Sequence, residues 1–469
     1  MKDALDMAQL WNGFEYKPHQ KAGIKWMTER ETSVPSGGIL CDEMGLGKTI
    51  QMLGLIKAHP GSNTLLIAPV AVLNQWAETA RRSKISVFRP RITARHMSWE
   101  REGKFFVNSA NLYLVGYELA RSKHQLVTMM IWDRLICDEA HRCASGNTLT
   151  NLVKHVPVSC RWFLTATPIV NGSKDLATLF DLLGVEGRPM DGVTIKKYVL
   201  ARSMDDLRAS IPDAPPKPVV ETISLPFVTP DEHEFYIGMS GAIVKKWKAL
   251  AADGMSAGKA LMRLQLFMRL RQLSVHPQVY IDSRKKALSG LSAANGYERP
   301  DWILPATKFE KIFDLTKTPA KWIIFCHFNN EMELLRDGLK EKAWIRNVYT
   351  YNGSMNHGER TNVLEATKDP LPEGSALSDV LLIQLQAGGV GLNLQHFTHI
   401  IFSGPWWTSA LMEQAIGRAV RIGQKAQVRV YHLRLQEEEN INIDKVMMAK
   451  AEEKGDLCRA TLAMASRVM

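Results

Sequence analysis

Three short strings in this chain hold the residue types that phosphate chemistry needs. The first is "CDEMGLGKTI" (41–50), where Gly47-Lys48-Thr49 ends the phosphate-loop pattern G-x-x-x-x-G-K-[ST], although Asp42 stands where that pattern has its first glycine. In such a loop backbone N–H groups and a helix N-terminus face the phosphates, the lysine neutralises them, and the hydroxyl binds Mg²⁺. The second is "RLICDEAH" (134–141), an apolar run ending in Asp138-Glu139. Asp138 can hold the metal, and Glu139 can orient and deprotonate an attacking water. The third is "EQAIGRAVRIGQ" (413–424). If it is helical, Arg418 and Arg421 lie three apart on one face and can aim two guanidiniums at one anion. Each string also has a plain reading: common residues side by side, a solvated strand cap, an exposed basic helix. Lys-Thr first and Asp-Glu later, each at a strand end, favours a nucleotide site.

Those residues need strands to carry them. Apolar, β-branched runs recur at 37–41, 64–69, 112–117, 134–141 and 162–168, and again at 321–327, 347–353, 380–385, 399–404 and 428–433. Continuous rather than alternating hydrophobicity predicts strands buried on both faces, as in parallel sheets. Helix-like segments such as "TIQMLGLIKAH" and "NEMELLRDGLKEKA" lie between them. The pattern is α/β, and it occurs twice. Between the halves, "DLATLFDLLG" reads as helical, "IPDAPPKPVV" as a proline-rich passage and "SGLSAANG" as a surface loop. In "GKALMRLQLFMRLRQLSVHP" (258–277), apolar residues at 261, 264, 267, 270 and 273 describe one helix face, for which core packing is expected.

The 469 residues are too many for one ordinary domain. No apolar run is long enough to cross a membrane, and the N-terminus has no secretory h-region, so a soluble intracellular protein is expected. None of the six cysteines forms a C-x-x-C pair, which leaves zinc and thioredoxin-type chemistry without support; buried, reduced thiols are expected. The net charge of +11 suits an anionic partner. Its densest basic stretch, Arg81 to Lys104 with Phe88 and Trp99 inside, reads equally as a solvated face or as a nucleic-acid contact.

The chain resembles the SNF2 family of helicase superfamily 2, double-stranded-DNA translocases, from about residue 14 to 440. "YKPHQKAGIKWM" is similar to the family's first motif, "DEMGLGKT" to its own form of the phosphate loop, with Asp in place of Gly, and "LLIAPVAVLNQW" to motif Ia. "DEAHR", "FLTATPIVN", "IIFCHFNNEMELL", "LQAGGVGLNL" and "EQAIGRAVRIGQ" resemble motifs II to VI, and "LRQLSVHP" a signature between the lobes. Gln384, Trp407-Thr408-Ser409 and Val420 depart from the pattern, but no phosphate, metal or arginine-finger position is lost.

The resemblance implies two tandem RecA-like lobes with SNF2-type helical insertions: lobe 1 over 1–225 with a helical protrusion after about 175, an insertion over 226–305, lobe 2 over 306–440, and a C-terminal helical segment over 441–469 packing back on the lobes. It implies a monomeric DNA-dependent ATPase core using ATP and Mg²⁺, with Gln20 reading adenine. Asp42, Met44, Gly45, Leu46, Gly47, Lys48, Thr49 and Gly391 would hold the nucleotide, and Thr49 and Asp138 the metal. Glu139, Arg418 and Arg421 would be catalytic. His141, Thr165, Thr167 and Gln414 would couple the nucleotide state to DNA, which Pro69, Gly388 and Gly389 would help grip. The implied partner is duplex DNA held through its phosphates, with nucleosomes or other DNA-bound proteins as further partners and accessory subunits as an option. Movement along the duplex without strand separation is expected; a strand-separating helicase and an ATP-gated scaffold with little turnover are the alternatives.

Overall fold

The computed structural model describes residues 9–94, 96–104, 106–186, 191–252, 256–288, 299–388, 392–437 and 441–465. The chain forms two units, Met1–Ala214 with Glu453–Met469, and Pro215–Glu452.

The first unit contains β1 (Gly37–Leu40), β2 (Asn63–Ala68), β3 (Ser86–Ile92), β4 (Met97–Glu102), β5 (Asn111–Gly116), β6 (Trp132–Asp138), β7 (Val158–Leu164) and β8 (Val199–Leu200). Their order is β4-β3-β5-β2-β6-β7-β1-β8, parallel throughout except for the β3–β4 hairpin. Every residue of β1 is buried, as its unbroken apolar run requires. In the helix Ser173–Leu183, Leu176, Leu179, Phe180 and Leu183 share one face and lie in the core.

The hairpin resolves the basic stretch. Arg81 and Arg89 both pair with Glu102 at 2.8 Å, and Arg91 pairs with Glu100 at 2.9 Å. Phe88 stacks on Tyr113 with centroids 4.5 Å apart, and Trp99 meets the same ring edge-on at 5.3 Å. Phe88 and Trp99 are both partly buried and pack against the core of the first unit.

The second unit contains β9 (Val219–Leu225), β10 (Lys321–Cys326), β11 (Ile345–Tyr351), β12 (Ser378–Gln384), β13 (His399–Phe402) and β14 (Arg429–Leu435). The order β11-β12-β10-β13-β14-β9 is parallel throughout. β9 moves the expected boundary: it pairs with β14 from Val219↔Arg429 to Leu225↔Leu435. That ladder covers an edge which β14 would otherwise expose, so the chain joins the second unit at Pro215, not after 225.

The insertion is part of the second unit and not a body of its own. Its helices Pro230–Ala252, Ala257–Val275 and Pro277–Leu288 are tied to the sheet by charge as well as by apolar contact. Arg271 reaches His327 at 3.1 Å and covers the Trp406 ring at 4.6 Å. Ser274 donates to Asp444 at 2.6 Å, and the Lys308 ammonium, 1% exposed, pairs with the same carboxylate at 2.7 Å. The helix Ile443–Ala465 starts in this unit, with Ile443 and Met447 in its apolar cluster. From Glu453 onward it belongs to the first unit, where Cys458 and Ala465 join the core. All six cysteines are buried, and none is in a disulfide.

Candidate functional site

The loop after β1 is built on left-handed backbone. Gly45 and Gly47 have φ of 89° and 82°, values that cost glycine nothing. Gly47 precedes the helix Lys48–Lys57, and a Cβ there would lie 2.6 Å from the Gln20 amide nitrogen. The first turn of the helix Pro18–Glu31 is drawn against this loop: His19 Nε2 lies 2.9 Å from the Leu46 carbonyl, and Gln20 Nε2 donates to it at 3.4 Å. Leu46 is fully buried, whereas Met44, Lys48 and Thr49 are half-buried at the helix start. Lys48 Nζ donates to the Asp42 carbonyl at 2.5 Å.

Asp42, expected among the cofactor-binding residues, has its carboxylate fully buried beneath the loop. Arg202, just past β8, grips both carboxylate oxygens and donates to Gln51 Oε1 at 2.9 Å, while Gln51 Nε2 donates to Asp42 at 2.9 Å. A further Arg202 nitrogen donates to the His19 carbonyl at 2.5 Å. The network fits only because residue 23 is glycine: a Cβ there would fall 1.9 Å from Gln51 Oε1. A bidentate, charge-assisted pair of this kind fixes geometry in two directions. The Asp42 side chain therefore braces the loop, and the residue faces Lys48 with its backbone carbonyl. Arg202 was not legible from the sequence, since 160 positions separate the partners.

β6 ends on the paired acids, one strand removed from β1 in the parallel sheet, so both sequence signals open at the same sheet edge. Trp76 Nε1 donates to Asp138 Oδ2 at 2.9 Å, and the Tyr117 hydroxyl donates to the Asp138 carbonyl at 2.8 Å. Glu139 has φ 52°, a strained left-handed conformation for a residue with a Cβ; its N–H bonds the Asp138 carboxylate at 3.0 Å. Burial, and then the Glu139 charge, push the Asp138 carboxyl up to about 6, against the pull of Trp76 and Lys48. His141 Nδ1 lies 3.6 Å from Glu139 and 3.5 Å from the Thr165 hydroxyl, which accepts from Thr167 N–H at 3.1 Å. Burial and the neighbouring Arg142 push His141 down to about 4, so its ring is neutral near pH 7. The Thr167 hydroxyl is buried with no hydrogen-bond partner among the described residues. Pro69 is the N-cap of the helix Val70–Arg82, at the end of β2.

In the second unit the arginines do not sit on a helix face. The helix Ser409–Ile416 is capped by Gly417, and Arg418 and Arg421 lie in the turn that follows. They are still brought together. Arg421 Nε donates to the Gly417 carbonyl at 2.9 Å, and burial with the Arg418 charge pushes Arg421 down to about 10. Arg418 is 4% exposed, and its carbonyl accepts from Leu394 N–H at 3.0 Å. Gln424, which the sequence reading did not single out, fastens the turn by donating to the Gln395 carbonyl at 2.6 Å, while Gln395 bonds the Ile422 carbonyl at 2.8 Å. Gln414 is buried in the helix. Gly388 ends the short helix Leu385–Gly388; Gly389 and Gly391 lie outside the described residues.

Residues 19–187 match the SNF2-related domain family, and residues 307–423 match the helicase conserved C-terminal domain family. The chain thus carries an SNF2-related domain followed by a helicase conserved C-terminal domain. It carries both halves of an ATP-dependent, helicase-like ATPase. Every site residue placed above except Arg202 and Gln424 lies inside a matched range. A probable global transactivator of Orgyia pseudotsugata multicapsid polyhedrosis virus is 27% identical over 96% of this chain and 92% of that protein. A putative ATP-dependent helicase/translocase of Bacillus subtilis is 28% identical over 89% of this chain, and the yeast ISWI chromatin-remodeling complex ATPase ISW1 26% identical over 89%. The SNF2-related chain spans only 46% and 38% of those two proteins. The Sulfolobus solfataricus SWI2/SNF2 ATPase core in complex with dsDNA aligns over 98% of both chains at 19% identity, with a TM-score of 0.38. No described helix is long and apolar enough to cross a membrane.

Proposed function

We propose that this SNF2-related chain hydrolyses ATP when it binds duplex DNA and uses the cycle to move along the duplex without separating its strands. The observation that carries the reading is the shared sheet edge of the first unit, where Lys48 and Thr49 start a helix and the Lys48 charge acts on Asp138.

The residues fit ATP and Mg²⁺. Two left-handed glycines before a helix N-terminus leave N–H groups for phosphate oxygens, with no Cβ in the way. Among the described residues no cluster of three His, Cys, Asp or Glu could hold a metal. Mg²⁺ needs none, since it is usually held by one or two protein oxygens and the phosphates themselves. Thr49 and Asp138 would supply those oxygens, and the like charge of Glu139 on Asp138 is the repulsion a cation relieves. Bound there, Mg²⁺ would neutralise charge on the β- and γ-phosphates. Lys48 would exchange the Asp42 carbonyl for the phosphates. Glu139 would orient the attacking water and take its proton, held to that position by the strained turn and by Asp138. Arg418 and Arg421 would bring positive charge to the γ-phosphate when the two units close. His141, Thr165 and Thr167 would link the acids to the end of β7 and so to the DNA grip.

DNA contacts through phosphates carry little sequence preference and a steep salt dependence. The relatives named as a helicase/translocase and as a chromatin-remodeling ATPase support motion on DNA, with DNA-bound proteins such as nucleosomes as its obstacles. The test is a pair of assays with ATP: displacement of a third strand from a triplex, and separation of a forked duplex. Translocation predicts displacement without fork opening; opening of the fork means a strand-separating helicase.

A further inference from the structure

The face at 261, 264, 267, 270 and 273 is buried at one end only. Leu270 and Leu273 are 2% and 3% exposed, whereas Leu261 and Leu264 are 59% and 52% exposed. At the open end Leu264 lines a groove of about 750 Å³ within the second unit, bounded by the helices Pro230–Ala252, Ala257–Val275 and Ile443–Ala465. Its floor is aromatic: Phe267 stacks on Trp407 with centroids 4.2 Å apart, and Trp247 forms a wall under the Arg263 guanidinium at 4.6 Å. Lys248, Arg263 and Lys450 stand among the lining residues, and the helix Ala257–Val275 contains no acidic residue.

We propose that this groove docks the apolar face of an acidic amphipathic helix from a second protein. Leucines left open beside a hollow of several side-chain volumes mark a surface built to be covered. From Ala260 to Phe267, both lining residues, the wall rises roughly 10 Å, close to the span of apolar residues at i, i+3 and i+7 on a partner helix. The cations fix the sign of that partner's flanks, because opposite charges at a rim steer the encounter and like charges reject it. Duplex DNA could meet the cations through its phosphates, but it has no group that fills a hollow floored by Phe267 and Trp407. The inference does not depend on the ATPase reading.

The probe is a labelled peptide of about three helical turns, with Leu or Phe at i, i+3 and i+7 and Glu on its other face, followed by fluorescence anisotropy. Saturable binding is expected, weakened at least tenfold by scrambling the peptide, by replacing its Glu with Lys, and by Leu264→Glu in the protein. Lys248→Glu should weaken it severalfold and make it less sensitive to salt. Both protein substitutions fall on exposed side chains, and unchanged circular dichroism confirms the fold. Equal binding of the scrambled or the Lys peptide overturns the proposal, as does indifference to Leu264→Glu. So do displacement of the peptide by a short DNA duplex and a concentration-dependent dimer abolished by Leu264→Glu, which would assign the face to nucleic acid or to a second copy.

Discussion

The two units handle crowded charge in opposite ways. In the first, two carboxylates are forced together at the end of β6, and the Asp138 carboxyl is pushed up to about 6. In the second, two guanidiniums share a turn after the helix Ser409–Ile416, and Arg421 is pushed down to about 10. Each arrangement is unfavourable alone; under the proposed function a cation would relieve the acids and phosphate oxygens the arginines. Crowded like charge of this kind is a common mark of functional sites. The supports differ as well. The acids rest on indole, phenol and backbone partners, the arginines on a turn fastened by Gln424 and Gln395.

The largest loss of activity is expected at the arginines. Arg421→Ala or Arg418→Ala should lower kcat by about 10³-fold, the scale of an arginine finger, while nucleotide affinity of the first unit changes little. The double variant should be scarcely worse than the poorer single one, because the two act as a unit. Additive losses would mean separate roles. Next comes the brace under the phosphate loop. Asp42→Ala leaves Arg202 buried without its partner, which should cost about 3–5 kcal/mol of stability, whereas Asp42→Leu with Arg202→Met should recover much of it. Denaturant midpoints read both. If Asp42→Ala leaves the midpoint unchanged, the carboxylate is not the brace.

The smallest effect is on acid stability. Burial pushes His276 and His432 down to about 4, and His396 and His399 reach the same value by burial with nearby cations. In the first unit only His141 is pushed as far, with His19 lowered less. These rings are favoured neutral when folded, so their contribution is complete above the unfolded value near 6.5. It is lost as pH falls from there toward 4. Pulse proteolysis in urea at about pH 7.5 and about pH 5 should show the second unit losing more stability than the first; equal losses would contradict this difference.

The comparison also shows what a sequence can reveal. All ten apolar runs became strands, because a strand covered on both faces must be apolar at consecutive positions. β3, β4, β8 and β9 lie outside those runs; in β3 and β4 the alternation is interrupted by arginines that pair across the hairpin. The phosphate loop and the acids were legible as local strings at strand ends. Arg202 was not: its meaning depends on a partner brought near only by the β1–β8 pairing. A shared helix face for Arg418 and Arg421 depended on the motif VI segment being helical throughout; the helix ends at Gly417, and the arginines meet through a turn instead. The face at 261–273 had the right period, but period alone does not say whether the rest of the chain covers it.

The proposed activity is ATP hydrolysis driven by duplex DNA. Steady-state ATP hydrolysis by the wild-type chain and by Glu139→Gln, each with duplex DNA, single-stranded DNA or RNA, tests it most directly. The account predicts that duplex stimulates turnover most, that added salt removes the stimulation, and that Glu139→Gln loses about 10²-fold or more in kcat while still binding ATP. Turnover driven better by single strands or RNA, or untouched by Glu139→Gln, would contradict it.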